Sequence, residues 1–196
     1  MNITMDERQE GYWPNGNLKY KGNYKNDDRD GCWEGYHSNG KLMRKGSYKN
    51  GKEISCWEYY YDNGNLSSKG NYKNGIKDGY WEGYYSNGKL MYKGNFKNGK
   101  PYGYWEGYWA NWASGKLNWR GYYKDGMKTG YWEWFYTNGN LGYKGSFING
   151  KRDGFWEEYY SNKNLEFKGH YKNDDRYGWW DFYYLDGTLW HQVFYF

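Results

Sequence analysis

The chain has 196 residues and a formal net charge of +5, and it carries 28 Tyr, 14 Trp and 8 Phe. Disordered chains are poor in aromatic residues, so this composition argues against disorder, and each buried ring supplies ~150–250 Å² of apolar surface. The charge is far from the strong basic imbalance of a dedicated nucleic-acid-binding protein, so we do not expect nucleic acid as a partner.

The first ten residues, MNITMDERQE, lack the apolar segment of a signal peptide. No stretch approaches the ~20 apolar residues of a membrane-spanning helix. These features predict a soluble, cytoplasmic protein.

Tryptophan recurs at Trp33, Trp57, Trp81, Trp105, Trp132, Trp156 and Trp180, in steps of 24 residues with a single step of 27. A fixed period of this size indicates a repeat array. Residues 1–7 are then an N-terminal tail, and residues 8–196 hold eight copies, near 8–30, 31–54, 55–78, 79–102, 103–129, 130–153, 154–177 and 178–196.

In six of the eight copies, Asn-Gly or Asp-Gly separates two aromatic-rich runs. This dipeptide predicts a two-residue type I′ turn, which needs a positive φ at both central residues. The dipeptides are Asn15-Gly16, Asn39-Gly40, Asn63-Gly64, Asn87-Gly88, Asn138-Gly139 and Asp186-Gly187. Because glycine disfavours helices and occurs 30 times, we expect β-structure throughout.

A two-residue turn at Asn87-Gly88 fixes the pairing across the hairpin. Tyr85 then faces Leu90, Glu82 faces Lys93 and Trp81 faces Gly94, so a large ring can lie over bare backbone beside a cross-strand ion pair. The same count predicts the pairs Glu10–Lys21, Glu34–Lys45, Glu58–Lys69, Glu106–Arg120, Glu133–Lys144 and Glu157–Lys168.

The second connection of each copy reads KNGKPYG or a relative of it. A tight turn at Asn98-Gly99 would oppose Lys97 to Lys100 and place Pro101 in a strand, and both are unfavourable. We therefore predict a four-residue loop from Asn98 to Pro101, which pairs Gly94 with Trp105 and Lys93 with Glu106. The resulting fold is all-β, an elongated, twisted, single-sheet antiparallel meander of about sixteen strands.

Strand alternation assigns the side chains to two faces. The apolar side that we expect to be buried carries Trp81, Tyr85, Leu90, Tyr92 and Phe96, and the opposite side is mixed and wetter. Cys32 and Cys56 occupy the same position one copy apart. That separation is ~10 Å, which exceeds the ~7 Å reach of a disulfide and predicts two free thiols.

The unit G-x-W-E-x-Y-Y-x-N-G-x-L-x-x-K-G-x-Y-K-N-G resembles the MORN-repeat variant of YwqK-type antitoxin-like bacterial proteins and of some large-virus proteins. The resemblance covers about residues 8–196, and it departs from the pattern at Gln9, Lys163 and Val193. It implies a β-hairpin array that binds or scaffolds, and for the antitoxin-like proteins it implies neutralisation of a toxin by direct contact. Some MORN proteins are linked to anionic phospholipids.

The copy with the longer step carries an insertion. Residues 111–115 form a loop there with Trp112 at its tip, and tryptophan and tyrosine dominate binding hot spots. The predicted partner-binding residues are Trp105, Tyr108, Trp109, Trp112, Trp119, Trp132 and Trp134. The alternatives are that Trp112 folds back on the sheet and that the other rings are simply the core.

Other surfaces suggest other partners. Basic residues gather at the second connections, at Lys49, Lys52, Lys73, Lys77, Lys97, Lys100, Lys124, Lys128, Lys151, Arg152, Lys172 and Arg176. This rim could bind an anionic membrane surface, but aspartates interrupt it, and a solvated loop edge is the simpler interpretation. The aromatic face could instead bind a glycan, or the chain could be a structural component of a larger assembly.

No pattern in the sequence indicates catalysis. His37, His170 and His191 fall in different copies without a recurrent partner, and neither metal-ligand spacing nor a phosphate-binding glycine loop occurs. The leading hypothesis is therefore a non-enzymatic scaffold without a cofactor or metal. It would bind a protein partner, such as a toxin, through its aromatic face.

Overall fold

The computed structural model describes residues 7–110 and 115–196. Every regular secondary-structure element in these two ranges is a β-strand. They are β1 Glu7–Tyr12, β2 Leu18–Lys25, β3 Asp28–Tyr36, β4 Leu42–Lys49, β5 Lys52–Tyr60, β6 Leu66–Lys73, β7 Ile76–Tyr84, β8 Leu90–Lys97, β9 Lys100–Tyr108, β10 Leu117–Lys124, β11 Met127–Phe135, β12 Leu141–Ile148, β13 Lys151–Arg152, β14 Gly154–Tyr159, β15 Leu165–Lys172, β16 Asp175–Tyr183 and β17 Leu189–Tyr195. No helix in these two ranges has the length and apolar character needed to cross a membrane.

The chain divides into two compact units, residues 1–90 with 95–100 and residues 91–94 with 101–196. In the first unit, β1 to β7 each pair with the next strand in antiparallel fashion. In the second unit, β9 to β17 follow the same hairpin order. The predicted all-β antiparallel meander is confirmed.

The first turn differs from the prediction in every copy whose turn lies wholly within the described residues, as the second copy shows. The His37 N–H donates to the Lys41 carbonyl at 2.8 Å, and the Gly40 N–H donates to the His37 carbonyl at 2.9 Å, so the loop has three residues. Only Gly40 has a positive φ, of 81°. The predicted type I′ turn at Asn39-Gly40 is therefore wrong, because Asn39 stays right-handed and uses its side-chain amide to donate to the Asp62 carbonyl of the next copy at 2.8 Å.

A β-bulge compensates for this difference. Tyr36 pairs with Leu42 but Gly35 pairs with Arg44, so Met43 is an extra residue in β4. The predicted pairing of Tyr85 with Leu90 corresponds in this copy to His37 with Leu42. It is wrong there, because Leu42 pairs with Tyr36, one residue earlier in the chain. Beyond the bulge the predicted register holds, and all six predicted pairs of acidic and basic residues face each other.

The second connection also differs from the prediction. Asn98 and Gly99 have φ values of 51° and 76°, which is the tight type I′ turn. The predicted four-residue loop from Asn98 to Pro101 is wrong, and Pro101 lies inside β9. Proline is tolerated there because Pro101 belongs to the non-hydrogen-bonded pair next to the turn, so its missing N–H removes no hydrogen bond of the hairpin. The Pro101 carbonyl accepts a hydrogen bond from the Gly126 N–H at 3.1 Å.

A second bulge again restores the register. Ser47 pairs with Ile54 while Lys45 pairs with Glu58, so β5 carries two extra residues, and one of them, Ser55, has a φ of 58°. Six other copies have glycine at the position of Ser55. The bulge explains this preference, because glycine adopts a positive φ with the least strain. These glycines are Gly31, Gly79, Gly103, Gly130, Gly154 and Gly178.

The core is a row of tryptophans on one face, which we call the tryptophan face. Trp57 and Trp81 are 0% exposed, and each indole covers the glycine of the preceding strand, Gly46 or Gly70. The predicted packing of a ring on glycine occurs, but Gly94 is covered by Trp105 and not by Trp81. A Cβ on Gly46 would lie 2.2 Å from Trp57 Cδ2. The Trp57 indole N–H also donates to the Ser47 carbonyl at 3.1 Å, and Tyr48 packs edge-on at 4.9 Å.

The opposite face carries alternating glutamates and lysines, and we call it the ladder face. Each lysine forms its ion pair with the glutamate of the following copy: Lys21–Glu34 at 2.8 Å, Lys45–Glu58 at 2.8 Å, Lys69–Glu82 at 2.9 Å, Lys93–Glu106 at 2.7 Å and Lys144–Glu157 at 2.7 Å. Such pairs therefore join neighbouring hairpins. Cys32 and Cys56 are free and exposed thiols.

Candidate functional site

The tryptophan face of the second unit carries a continuous row of stacked rings. Trp119 in β10 and Trp134 in β11 are Cα partners, and their rings lie 5.5 and 5.4 Å from that of Trp132, at interplanar angles of 24° and 25°. Tyr143 in β12 stacks on Trp134 at 4.5 Å and 17°. We call Trp119, Trp132, Trp134 and Tyr143 the stacked row.

Burial differs along the stacked row. Trp132 is 1% exposed and belongs to the core, whereas Trp119, Trp134 and Tyr143 are only partly buried and pack against it. Trp105 is likewise a core residue at 5% exposure, joined to Trp132 through edge contacts with Tyr123. The rings that a partner can reach are therefore those of Trp119, Trp134 and Tyr143.

The remaining predicted site residues lie elsewhere. Tyr108 belongs to the ladder face, where its hydroxyl donates to Glu106 at 2.5 Å. The Trp109 indole N–H donates to the Phe135 carbonyl of the next copy at 3.1 Å, which ties two copies together. Trp112 lies outside the described residues. The structure thus brings Trp119, Trp132 and Trp134 into one site, with Trp105 behind them, but places Tyr108 on the other face.

Beside the stacked row is a cavity of about 310 Å³. Its lining residues are Lys128, Trp134, Tyr143, Phe147, Arg152, Trp156, Glu157, Glu158, Phe167 and Tyr171. Aromatic rings form most of the wall, and two cations and two carboxyl groups also line it. This combination of apolar walls and a few polar groups is typical of binding sites.

Lys128 is one of the two cations that line this cavity. Its Nζ lies 4.7 Å from the Trp132 ring, 4.8 Å from the Trp134 ring and 5.2 Å from the Phe147 ring. Burial lowers the pKa of the Lys128 ammonium. The sequence-based interpretation of this lysine as part of a solvated loop edge is therefore wrong.

Lys77, Arg152 and Arg176 were assigned to the same solvated edge, and they too lie against rings. Lys77 Nζ is 4.0 Å from Trp81, Arg152 Cζ is 3.9 Å from Tyr171, and Arg176 Cζ is 4.6 Å from Trp180. The cause is the tight second turn, which moves this position from the loop into a strand on the tryptophan face. A sequence signal for these cations exists. In most copies a lysine or arginine stands four residues before the core tryptophan, as Lys77 does before Trp81.

Of the two carboxyl groups that line the cavity, Glu157 forms an ion pair with Lys144 at 2.7 Å, and Glu158 forms none among the described residues. Burial raises the pKa of Glu158, and the neighbouring charge of Glu166 raises it further, while Arg176 and Arg152 oppose the shift. Burial also raises the pKa of Tyr143. Desolvation thus lowers the pKa of Lys128 and raises the pKa of Glu158, and both shifts favour the neutral form of the side chain.

The three histidines are each engaged in structural contacts. A ring nitrogen of His37 lies 2.9 Å from the Tyr60 carbonyl of the next copy. His170 packs against Phe155 at 5.1 Å, and His191 stacks on Phe182 at 4.7 Å.

Comparison with protein families places these repeats. The MORN repeat variant matches the chain over residues 8–26, 29–50, 56–74, 77–98, 128–149 and 152–173, which is well over half of its length. A search of curated proteins finds no match. Each matched segment contains a first turn and a Lys-Gly pair and ends at the asparagine that begins the second turn, and five of the six segments contain a core tryptophan. The chain therefore belongs to the MORN repeat variant family.

Proposed function

We propose that this protein is a non-enzymatic repeat scaffold that binds a protein partner through the stacked row and the adjoining cavity. The observation that carries the proposal is the partial exposure of Trp119, Trp134 and Tyr143, which lie on a buried tryptophan that holds them in place. Aromatic side chains that are rigid before binding lose little conformational entropy on contact and dominate binding hot spots.

The most concrete version of this proposal is an antitoxin or immunity-type protein. It is supported by the resemblance of the repeat unit to that of YwqK-type antitoxin-like proteins. A toxin surface would then cover the stacked row. The engagement of His37, His170 and His191 in structural contacts supports a binding role over a catalytic one.

The test is an affinity purification of the tagged chain from cells of its native host. Trp134→Ala removes the ring that links the stacked row to the cavity. Tyr131→Ala is the matched control, because Tyr131 lies on the same strand, is 48% exposed and belongs to the ladder face. A partner should be recovered with the wild type and with Tyr131→Ala, and its affinity for Trp134→Ala should fall at least about tenfold.

Recovery of no protein above background, or equal recovery with Trp134→Ala and the wild type, would refute the proposal. Both variants are first compared with the wild type by far-UV circular dichroism and urea unfolding, so that a lost partner is not a lost fold. The antitoxin version has its own test. The recovered protein, expressed alone, should arrest growth, and co-expression of this chain should restore it; a partner without toxicity rejects that version and leaves the binding role intact.

A further inference from the structure

The two faces of the sheet differ in how their cations are neutralised. On the ladder face of the second unit, the cations have carboxylate partners: Lys93–Glu106 at 2.7 Å, Arg120–Glu133, Lys144–Glu157 at 2.7 Å and Lys168–Asp181 at 3.4 Å. On the tryptophan face, Lys128 forms no ion pair within the described residues. Lys128, one of the two cations that line the cavity, thus has no counter-ion among the described residues.

Lys128 is also partly removed from water. Three rings surround its ammonium group at about 5 Å, and their negative faces replace part of the lost hydration. Burial lowers the pKa of Lys128, and no carboxylate forms an ion pair with it among the described residues. A desolvated ammonium without a partner is unfavourable, and a carboxylate brought by a ligand would remove that cost.

The rest of the cavity specifies the kind of ligand. Arg152 provides a second cation on the same wall, and its guanidinium is already bonded to the exposed Asp174 at 3.2 Å. Glu158 also lines the cavity, and the neighbouring Glu166 makes its surroundings more negative. A run of phosphates passing through the cavity would meet this carboxyl group, whereas a peptide can place one acidic side chain on Lys128 and apolar side chains on the rings.

We infer that the cavity binds an acidic side chain of a partner segment, with the carboxylate on Lys128 and flanking apolar residues on Trp134 and Tyr143. The inference rests on the proposed protein-binding function and names the chemistry of the partner. The first unit contains a similar cation, since Lys77 Nζ lies 4.0 Å from Trp81 and 5.1 Å from Phe96 and burial also lowers the pKa of Lys77. The arrangement is therefore a property of the repeat, and the cavity adds selectivity to it.

The experiment uses the full chain, immobilised, to select from a phage-displayed library of random peptides. The selected peptides should be enriched in aspartate or glutamate next to Phe, Tyr or Leu. One selected peptide is then synthesised together with its twin in which glutamine or asparagine replaces each acid. The twin should bind at least about tenfold more weakly, because a desolvated charge pair is lost, and raising the salt concentration should weaken only the acidic peptide.

Lys128→Met removes the charge and keeps the length of the side chain, and Lys124→Met is the matched control. Lys124 is an exposed lysine of the same hairpin, at the end of β10. Lys128→Met should lose at least about tenfold in affinity for the acidic peptide, while Lys124→Met keeps it. Urea unfolding of both variants confirms that the fold is intact, and Lys128→Met should be at least as stable as the wild type, since it removes a desolvated charge.

Three results would overturn the inference. They are a selection that yields neutral or basic peptides or none, equal binding of the acidic peptide and its twin, and wild-type affinity in Lys128→Met. Single-stranded DNA and phosphatidylserine vesicles are measured in parallel, and Lys128-dependent binding to either one in place of the peptide also rejects it. If the native partner is lost with Trp134→Ala but kept with Lys128→Met, the proposed function stands and only the acidic chemistry fails.

Discussion

Replacing Gly145 by alanine should destabilise the protein more than any other single added methyl group in its strand. A Cβ at Gly145 would lie 2.2 Å from Trp156 Cδ2 and 2.3 Å from Cε2, whereas carbon atoms pack best at about 3.5–4.0 Å. The indole cannot retreat, because Trp156 is 6% exposed and Phe147 and Tyr171 hold it edge-on at 5.2 and 5.9 Å.

Two losses set the size of the effect. Forcing an extra methyl group into a packed core costs about 1–3 kcal/mol. A displaced indole also weakens the hydrogen bond from Trp156 Nε1 to the Ser146 carbonyl, at 3.1 Å, which contributes about 0.5–1.5 kcal/mol. We expect the free energy of unfolding to fall by about 2–4 kcal/mol, a large part of the total stability of an ordinary domain.

Gly142→Ala in the same strand is the control. The nearest atom to a Cβ at Gly142 is the Trp134 carbonyl oxygen at 3.4 Å, and its φ is not positive. This variant should be neutral, or more stable by about 0.4–1 kcal/mol because alanine restricts the unfolded chain. The measurement is urea unfolding followed by far-UV circular dichroism, and two variants with the same unfolding midpoint would refute the packing of tryptophan on glycine as the source of stability.

Two further predictions concern the ladder face and the first turns. Hydrogen bonds from Lys21 and Lys45 hold the pKa values of Glu34 and Glu58 below their usual range. The two ionised glutamates therefore stabilise the fold above pH ~4.3, and this stabilisation is lost as the pH falls through their folded-state pKa values. The urea midpoint should drop in that acidic window, and Glu58→Gln should lower stability at neutral pH and flatten the acid dependence; an unchanged slope would contradict this role. Lys163 has a φ of 78° where other first turns carry glycine. Lys163→Gly relieves about 1–2 kcal/mol of left-handed strain and loses about 0.4–1 kcal/mol through a more flexible unfolded chain, so urea unfolding should show a net gain of about 0.5–1 kcal/mol, with the opposite sign for Gly139→Lys.

The central register could be predicted from the sequence because two independent patterns repeat in it. Glutamate opposite lysine and tryptophan opposite glycine recur with one count, and the structure confirms both in pairs such as Glu34–Lys45 and Trp33–Gly46. The turns at either end were predicted wrongly, yet each bulge compensates for the register shift that its turn introduces. The register therefore survived, since side-chain pairing in mid-strand determines it more strongly than turn type does.

The turn types could not be predicted because the same dipeptide serves two purposes. Asn50 has a φ of 48° and forms a type I′ turn with Gly51, whereas Asn39 stays right-handed and donates its side-chain amide to the Asp62 carbonyl of the next copy. That second role exists only when a neighbouring copy is present. A local propensity, which describes one turn at a time, contains no information about it.

The cations of the tryptophan face were missed for the same reason. With a four-residue loop Lys128 belongs to the rim, and with a tight turn it belongs to a strand whose side chains face the rings. The aromatic part of the site was predictable, because Trp119 and Trp134 stand out by composition alone. Lys128 and Arg152 depend on a register shift of two residues that only the bulge reveals, whereas Glu158 shares the face of Trp156 by strand alternation alone.

Specificity in a repeat array has to come from positions that differ between copies, because the positions that build the fold are the same in all of them. On the tryptophan face, one such variable position follows the Trp-Glu or Trp-Asp pair and is occupied in order by Gly35, Tyr59, Gly83, Gly107, Trp134, Glu158 and Phe182. Two consecutive members of this series, Trp134 and Glu158, line the cavity beside Lys128. Glycine at this position presents no side chain of its own and is covered by a neighbour, as Gly107 is by Trp119, whereas a ring and then a carboxyl group create adjacent apolar and polar surfaces. The candidate site therefore lies where the residues that build the fold are unchanged and only the side chains exposed on the tryptophan face differ from those of the other copies.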